Sequence, residues 1–245
     1  MKIIRLSCIA LFFSSLIAGC STTVKVTDTD LGQHEMKYSA TVKKEVNMNY
    51  LLYLPDEYVK DGTKFPLVLF LHGSGERGSD VKKVERHGPP KLVSQGKKFP
   101  FILVSPQCPD GEGWDAFALN SLLDFIIENY KVDPSRVYLT GLSMGGFGTW
   151  DLAIRYPDKF AAIAPVCGGG DDSKVCALKN VPVWVFHGKL DNVVSPQESE
   201  KMVKALRDCG GDVQFTLYPD ANHDSWTKTY ENDEFYIWML SKMKK

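Results

Sequence analysis

The chain has 245 residues, of which 44% are hydrophobic, and its 29 basic and 30 acidic side chains give a formal net charge of −1. Basic residues scattered over a nearly neutral chain argue against nucleic acid as a partner. No cysteine or histidine cluster has the spacing of metal ligands, so the sequence predicts neither a zinc site nor any other cofactor.

The first twenty residues have the pattern of an export signal. A basic start at Lys2 and Arg5 precedes a mostly apolar stretch over residues 9–18, and Cys20 directly follows two small residues. An apolar stretch this short is typical of a signal peptide rather than a membrane span. The placement of Cys20 resembles a bacterial lipobox, which implies cleavage before Cys20 and a lipid on its thiol.

This start predicts both a location and a division of the chain. The location is the bacterial cell envelope, periplasmic or outer-membrane, with a lipid anchor at Cys20; the alternative is an ordinary signal peptide with a chance cysteine. The predicted segments are a signal peptide over 1–19, a polar tether over 20–35 and one folded domain over 36–245. About 225 residues remain after cleavage, which is the usual size of a single α/β domain.

Short apolar runs alternate with amphipathic stretches along the rest of the chain. Strands are predicted over residues 36–42, 50–54, 67–71, 102–105, 137–140, 161–165, 183–187 and 213–218. Helices are predicted over residues 116–130, 147–156, 196–209 and 233–243. This alternation predicts an α/β fold with a mainly parallel sheet covered by helices on both faces, and the first two strands are expected to form an antiparallel edge. The connections are too short for a large lid domain.

A glycine-rich loop follows the continuously apolar strand over 67–71. Its sequence, His72-Gly73-Ser74-Gly75-Glu76-Arg77-Gly78, allows the backbone to approach a ligand closely. The glycines match neither G-x-G-x-x-G nor a G-K-[ST] ending, so a phosphate-binding interpretation is weak.

The segment Gly141-Leu142-Ser143-Met144-Gly145 lies between a predicted strand and a predicted helix. A G-x-S-x-G sequence in that setting is typical of a nucleophile elbow, in which a strained turn lifts the serine hydroxyl above the sheet. We therefore predict Ser143 as a nucleophile and the Met144 N–H as an oxyanion donor. The second oxyanion donor is expected in the glycine-rich loop, with Ser74 as first choice and Gly73 or Gly75 as alternatives.

A serine nucleophile needs an imidazole to take its proton and a carboxylate to orient that imidazole. Asp191 and His223 follow Ser143 in the chain order of this fold, and both come just after a predicted strand. We predict Asp191 as the orienting acid and His223 as general base. The competing acids are Asp171, Asp172, Asp220 and Asp224.

The remaining histidines, tryptophans and cysteines have less definite interpretations. His34 is expected to be solvated, His187 to be structural, and His87 to contact substrate or simply to lie on a turn. Trp114 and Trp226 are predicted to form aromatic walls for a substrate, with core packing as the alternative. Four further cysteines allow three disulfide pairings in an exported protein, and the sequence does not choose among them. They are Cys108, Cys167, Cys176 and Cys209.

The quoted motifs together resemble the α/β-hydrolase superfamily, and more narrowly the dienelactone-hydrolase, phospholipase/carboxylesterase and polyhydroxybutyrate-depolymerase-like esterases, also described as predicted peptidases. The resemblance covers residues 50–240. It is carried by the segments at 71–78, 105–109, 141–145, 187–191 and 223–226. It implies hydrolysis of carboxylic esters, with some members acting on acetyl or feruloyl esters of plant polysaccharides.

The sequence therefore predicts an exported serine esterase, a feruloyl or acetyl esterase, whose substrate is a small-molecule or polysaccharide ester and whose membrane contact is the N-terminal lipid. Two alternatives remain open. One is a serine peptidase of the prolyl-oligopeptidase type, although the gating propeller of those enzymes is missing from the sequence. The other is a non-catalytic binding lipoprotein, which would be expected to lose a member of the triad.

Overall fold

Seven strands form a single sheet in the structure, which is a computed structural model and describes residues 44–59 and 62–244. The strands are β1 (Tyr50–Tyr53), β2 (Phe65–Leu71), β3 (Ile102–Pro106), β4 (Val132–Leu142), β5 (Ala162–Val166), β6 (Val183–Gly188) and β7 (Val213–Tyr218). Their order across the sheet is β1-β3-β2-β4-β5-β6-β7. β1 pairs with β3 in antiparallel fashion, and every other neighbouring pair is parallel. The predicted α/β architecture is confirmed.

Six α-helices cover the two faces of this sheet. They are α1 (Gly88–Ser94), α2 (Ala116–Asn129), α3 (Met144–Arg155), α4 (Gln197–Asp208), α5 (Trp226–Glu231) and α6 (Asp233–Leu240). In the described part of the chain no large lid is inserted between these elements. None of these helices is long and apolar enough to cross a bilayer.

A hydrophobic core lies on each face of the sheet, because β2 is buried on both sides. Leu67, Leu69 and Leu71 pack with α2, α3 and α4, whereas Val68 and Phe70 pack with α1, α5 and α6. Successive side chains of a strand point to opposite faces, so the unbroken apolar run fills both cores at once. The rigid centre of the sheet is therefore directly beneath the loop that follows β2.

The differences from the predicted elements are local. The strand predicted over 36–42 lies outside the described residues, so only one member of the predicted antiparallel edge, β1, is seen. Helices α1 and α5 lie where the sequence predicts no helix, since Gly88-Pro89-Pro90 is also typical of a turn. Helix α6 ends at Leu240, three residues before the predicted end.

One disulfide joins Cys176 to Cys209, linking the short 3₁₀ helix Val175–Leu178 to the end of α4. Cys108 and Cys167 are free and buried. A disulfide in this position suits the exported protein that the sequence predicts. It also fastens α4, whose first turns border the site described next.

Candidate active site

Ser143 stands at the sharp turn between β4 and α3. Its backbone angle φ is +53°, a value that residues other than glycine rarely adopt. The glycines on either side permit this turn: a Cβ on Gly145 would collide with the Leu71 carbonyl, and one on Gly141 would collide with the Gly145 carbonyl. The G-x-S-x-G spacing thus presses the elbow against β2 and leaves the Ser143 side chain partly exposed.

His223 connects Ser143 to Asp191. The Ser143 hydroxyl donates to His223 Nε2 over 3.0 Å, and His223 Nδ1–H donates to Asp191 Oδ2 over 2.7 Å. Because a carboxylate only accepts hydrogen bonds, Asp191 selects the tautomer whose Nε2 is free to take a proton from Ser143. The structure therefore brings together three of the predicted site residues, from the ends of β4, β6 and β7, in hydrogen-bonded order.

Asp191 is buried, and both of its carboxylate oxygens accept hydrogen bonds. Its Oδ1 accepts the N–H groups of Val193 and Val194, each at 2.9 Å, and its Oδ2 accepts His223. Burial alone would raise the pKa of Asp191, but the hydrogen bonds from His223, Val194 and Val193 outweigh it and hold the pKa below its ordinary value. The carboxylate is therefore ionised at neutral pH.

The competing acids have other partners. Asp224 accepts the Thr227 N–H and hydroxyl at the start of α5, and Asp220 pairs with Lys228. Asp171 binds Ser173 and Lys174, and Asp172 is exposed. Each of these four acids thus faces solvent or its own loop.

The glycine-rich loop lies next to the elbow. Ser74 opens the 3₁₀ helix Ser74–Glu76 and is exposed, while Met144 is the first residue of α3, whose N–H has no intrahelical partner. The Arg77 guanidinium donates to Met144 Sδ over 2.9 Å and ties the loop to that helix. Both predicted oxyanion donors therefore belong to elements that flank Ser143.

His72 fixes the start of this loop. It is fully buried, its Nδ1–H donates to the Gly73 carbonyl, and its Nε2 accepts the Cys108 N–H over 3.0 Å. The contact with Cys108 requires the neutral ring, because Nε2 must accept, and burial lowers the pKa of His72 to about 4. His72 is therefore a structural histidine at neutral pH.

The low pKa of His72 predicts a loss of stability in acid. The unfolded chain binds a proton at His72 near pH 6.5, and the folded chain does so only near pH 4. The contribution of neutral His72 to the free energy of unfolding is therefore complete above pH 6.5 and is lost as the pH falls from 6.5 to 4. We expect up to about 3 kcal/mol of the free energy of unfolding to disappear. His72→Gln keeps an acceptor for Cys108 without titrating, so urea unfolding at several pH values should show a smaller acid loss in that variant. Parallel curves for the two proteins would contradict the assignment.

The two predicted substrate tryptophans occupy different positions. Trp114 is half-buried, lies against Gly148 of α3, and donates its indole N–H to the His72 carbonyl over 3.2 Å. Trp226 meets the His223 ring edge to face, with centroids 5.2 Å apart, lies 5.3 Å from the His87 ring, and packs against the core on that face of the sheet. Trp226 therefore borders the reacting centre directly, whereas Trp114 supports the glycine-rich loop.

Three further buried residues lie near the site: the sequence predicts no role for Glu76, offers Cys167 only for a disulfide and predicts His187 as structural. Glu76 lies 3.8 Å from His87, and burial raises its pKa against the opposing charges of His87 and Arg86. Cys167 has its sulfur within 4.8 Å of ligand atoms of Asp191 and His223. His187 contacts Asp191. Their position at the end of a strand or just beyond it, at β2, β5 and β6, is the one sequence signal that marks them.

Cys167, Asp191 and His223 are also the one group of possible metal ligands within the described residues. A metal needs the thiolate form of cysteine, and burial raises the pKa of Cys167 to about 12. The facing atoms of Asp191 and His223 are already hydrogen-bonded to each other. The arrangement therefore fits a proton relay better than a metal centre.

Comparison with known proteins identifies one family and several esterases. The dienelactone hydrolase family matches residues 31–235. A bifunctional acetylxylan esterase/xylanase of Neocallimastix patriciarum is 31% identical over 150 residues, which are 58% of this chain and 22% of that protein. Feruloyl esterase B of Thermothelomyces thermophilus is 26% identical over 208 residues, covering 64% of this chain and 69% of that protein.

The fold has matches of the same kind among solved structures. A thermostable esterase superposes with a TM-score of 0.68 at 35% identity, over 80% of this chain and 59% of that one. The chain thus spans about a fifth of the first curated relative and a little over half of this solved esterase.

Proposed function

The chain belongs to the dienelactone hydrolase family, and from that premise we propose that it is a carboxylic-ester hydrolase with Ser143 as nucleophile, His223 as general base and Asp191 as orienting acid. The observation that carries the proposal is the hydrogen-bonded series from Ser143 through His223 to Asp191 at a strained elbow. Family membership and the esterase relatives support the reaction class.

In the proposed first step, Ser143 Oγ attacks the ester carbonyl while its proton moves to His223 Nε2. The ionised Asp191 stabilises the resulting imidazolium. The carbonyl oxygen becomes negative, and we assign its stabilisation to the N–H groups of Met144 and Ser74. The first of these also lies at the positive end of the α3 dipole.

In the second step, collapse of the tetrahedral intermediate breaks the bond to the alcohol, which takes the proton from His223. An acyl group then remains on Ser143. A water molecule attacks this acyl-enzyme, gives its proton to His223, and releases the carboxylic acid while the proton returns to Ser143. Each cycle consumes one ester and one water, and restores the neutral imidazole.

For the substrate we propose acetyl or hydroxycinnamoyl esters of plant polysaccharides. Support comes from the acetylxylan and feruloyl esterases among the relatives. It comes also from the surface: Phe147, Leu190 and Val193 lie within four residues of Ser143 or Asp191, and each is at least 37% exposed. Apolar side chains beside a site that no large lid covers within the described residues suit a short or aromatic acyl group attached to a bulky polar alcohol.

A substrate panel tests this proposal. We expect turnover of p-nitrophenyl acetate and methyl ferulate, with lower kcat/KM for p-nitrophenyl laurate and none for a peptide anilide. A clear preference for the laurate ester would overturn the substrate class and leave the reaction class standing. Cleavage of the anilide in preference to all esters would favour a peptidase instead.

Trp226 is expected to contribute to the selection of the aromatic acyl group. Trp226→Ala should lower kcat/KM more for methyl ferulate than for p-nitrophenyl acetate, since the lost ring surface would pack on the larger acyl group. The difference should correspond to about 1 to 3 kcal/mol of activation free energy. Trp226→Phe is the matched control, because the buried indole N–H of Trp226 has no hydrogen-bond partner to lose. Equal losses for both esters in the Ala variant would show that the ring supports His223 only.

For the location we propose a lipid anchor at Cys20, a residue outside the described part of the structure. The motif around Cys20 supports this proposal. Expression of the full-length gene in a Gram-negative host should place the wild-type protein in the membrane fraction, and Cys20→Ala should move it out, because the lipid is attached to that thiol. Unchanged fractionation, or an unmodified N-terminus by mass spectrometry, would contradict the anchor.

A further inference from the structure

His187 is a fully buried histidine at the end of β6, four residues before Asp191. Its Nε2 lies 3.2 Å from Asp191 Oδ2 and 3.0 Å from the Val194 carbonyl, and its Nδ1 lies 2.8 Å from Ser199 Oγ. Both ring nitrogens are therefore engaged, as burial demands.

The proton on Nε2 can be assigned from these neighbours. The Asp191 carboxylate and the Val194 carbonyl are both acceptors, so Nε2 must carry a hydrogen, which the two oxygens share. His187 is therefore a donor to the same carboxylate oxygen that receives the proton-bearing Nδ1 of His223.

This donor completes the shell of Asp191. The two backbone N–H groups from Val193 and Val194 hold Oδ1, whereas Oδ2 is held by His223 and His187. His223 is partly exposed and changes charge in the proposed reaction, while His187 is fully buried. Without His187, Oδ2 would depend on the one partner that it has to orient.

His187 is itself anchored to the elbow. Ser199 Oγ, from α4, lies 2.8 Å from His187 Nδ1 and 2.8 Å from the Gly168 carbonyl, and these two acceptors share its one hydroxyl hydrogen. Gly168 packs so closely on α3 that a Cβ there would collide with the backbone of Gly146, three residues after Ser143. The contacts thus run from the acid through His187 and Ser199 to the helix that carries the nucleophile.

We propose that His187 is a positioning residue, whose Nε2–H fixes Asp191 Oδ2 in the orientation that His223 requires. The inference rests on the proposed function, since it assigns His187 a task only if Asp191 orients a general base. His187 touches neither Ser143 nor the open side of the site, so the effect should fall on kcat and leave KM unchanged.

Two substitutions, His187→Gln and His187→Asn, distinguish a positioning role of His187 from a role in filling space. The amide of His187→Gln reaches the position of Nε2 and can still donate to Asp191, whereas that of His187→Asn reaches only the position of Nδ1 and keeps the Ser199 contact alone. We expect His187→Asn to lower kcat for p-nitrophenyl acetate about ten- to a hundredfold, the size of one lost buried hydrogen bond to a charged group. His187→Gln should stay within about fivefold of the wild type. Thermal unfolding of both variants controls for folding.

Ser199→Ala tests the inference independently of whether His187→Asn folds. Ser199→Ala removes the anchor of the ring with little loss of volume, and we expect kcat to fall by about threefold or more at constant KM, since one buried hydrogen bond is lost. If His187→Asn does not fold, an unchanged kcat in Ser199→Ala overturns the inference. Equal losses in the Asn and Gln variants of an active enzyme overturn it as well. A wild-type protein that neither hydrolyses esters nor reacts with a fluorophosphonate overturns the proposed function itself, and the inference with it.

Discussion

Replacing Ser143 with alanine should lower ester hydrolysis by about 10⁴- to 10⁶-fold, because the three residues of a hydrogen-bonded triad act as one unit. The loss should appear in kcat, since the hydroxyl is needed for bond formation and the surrounding surface is unchanged. Initial rates with p-nitrophenyl acetate measure the effect. Labelling by a fluorophosphonate, followed by peptide mass spectrometry, should find the adduct on Ser143 in the wild type and none in Ser143→Ala.

The strain at Ser143 gives this experiment an internal control. Ser143→Gly removes the same hydroxyl but suits a φ of +53°, so it should be as inactive as Ser143→Ala and about 1 kcal/mol more stable. Ser195→Ala, at an exposed serine near the acid loop, should retain activity. If Ser143→Ala kept more than about a tenth of the wild-type rate, Ser143 would not be the nucleophile.

Much of the fold could be predicted because its signals are local. The unbroken apolar run of β2 indicates burial on both faces, and the glycines around Ser143 indicate a turn that larger residues cannot make. Ser143, Asp191 and His223 each come at or just after the end of a strand, and the parallel topology places the ends of β4, β6 and β7 at one edge of the sheet. Those residues meet because the strands that carry them are parallel.

What could not be predicted depends on contacts between distant segments. The disulfide between Cys176 and Cys209 joins residues 33 apart, and the sequence allowed three pairings. His187 has an ordinary sequence setting at a strand end, and its importance to Asp191 arises from Val194, Ser199 and Gly168, which come from three other segments. Gly88-Pro89-Pro90 hides helix α1, since proline is favoured in the first turn of a helix as well as in turns.

Replacing Asp191 with asparagine should lower kcat by about 10⁴-fold, and the structure gives a specific reason for so large an effect. The N–H groups of Val193 and Val194 both point at Oδ1, so an asparagine would place its carbonyl oxygen there. Its NH₂ group would then face His223 Nδ1, which would have to accept rather than donate. The neutral imidazole would carry its hydrogen on Nε2, facing Ser143, and could not take the proton of the hydroxyl.

The matched control for this change is Asp224→Asn, which makes the same substitution in the residue beside His223. Asp224 is exposed and caps α5 through Thr227, a contact that asparagine can still make, so kcat should stay within about twofold of the wild type. Steady-state kinetics on both variants, with thermal unfolding to verify the fold, decides between them. A larger loss in Asp224→Asn than in Asp191→Asn would place the orienting acid on the His223 loop and would remove the basis for both Asp191 and His187 in the proposed relay.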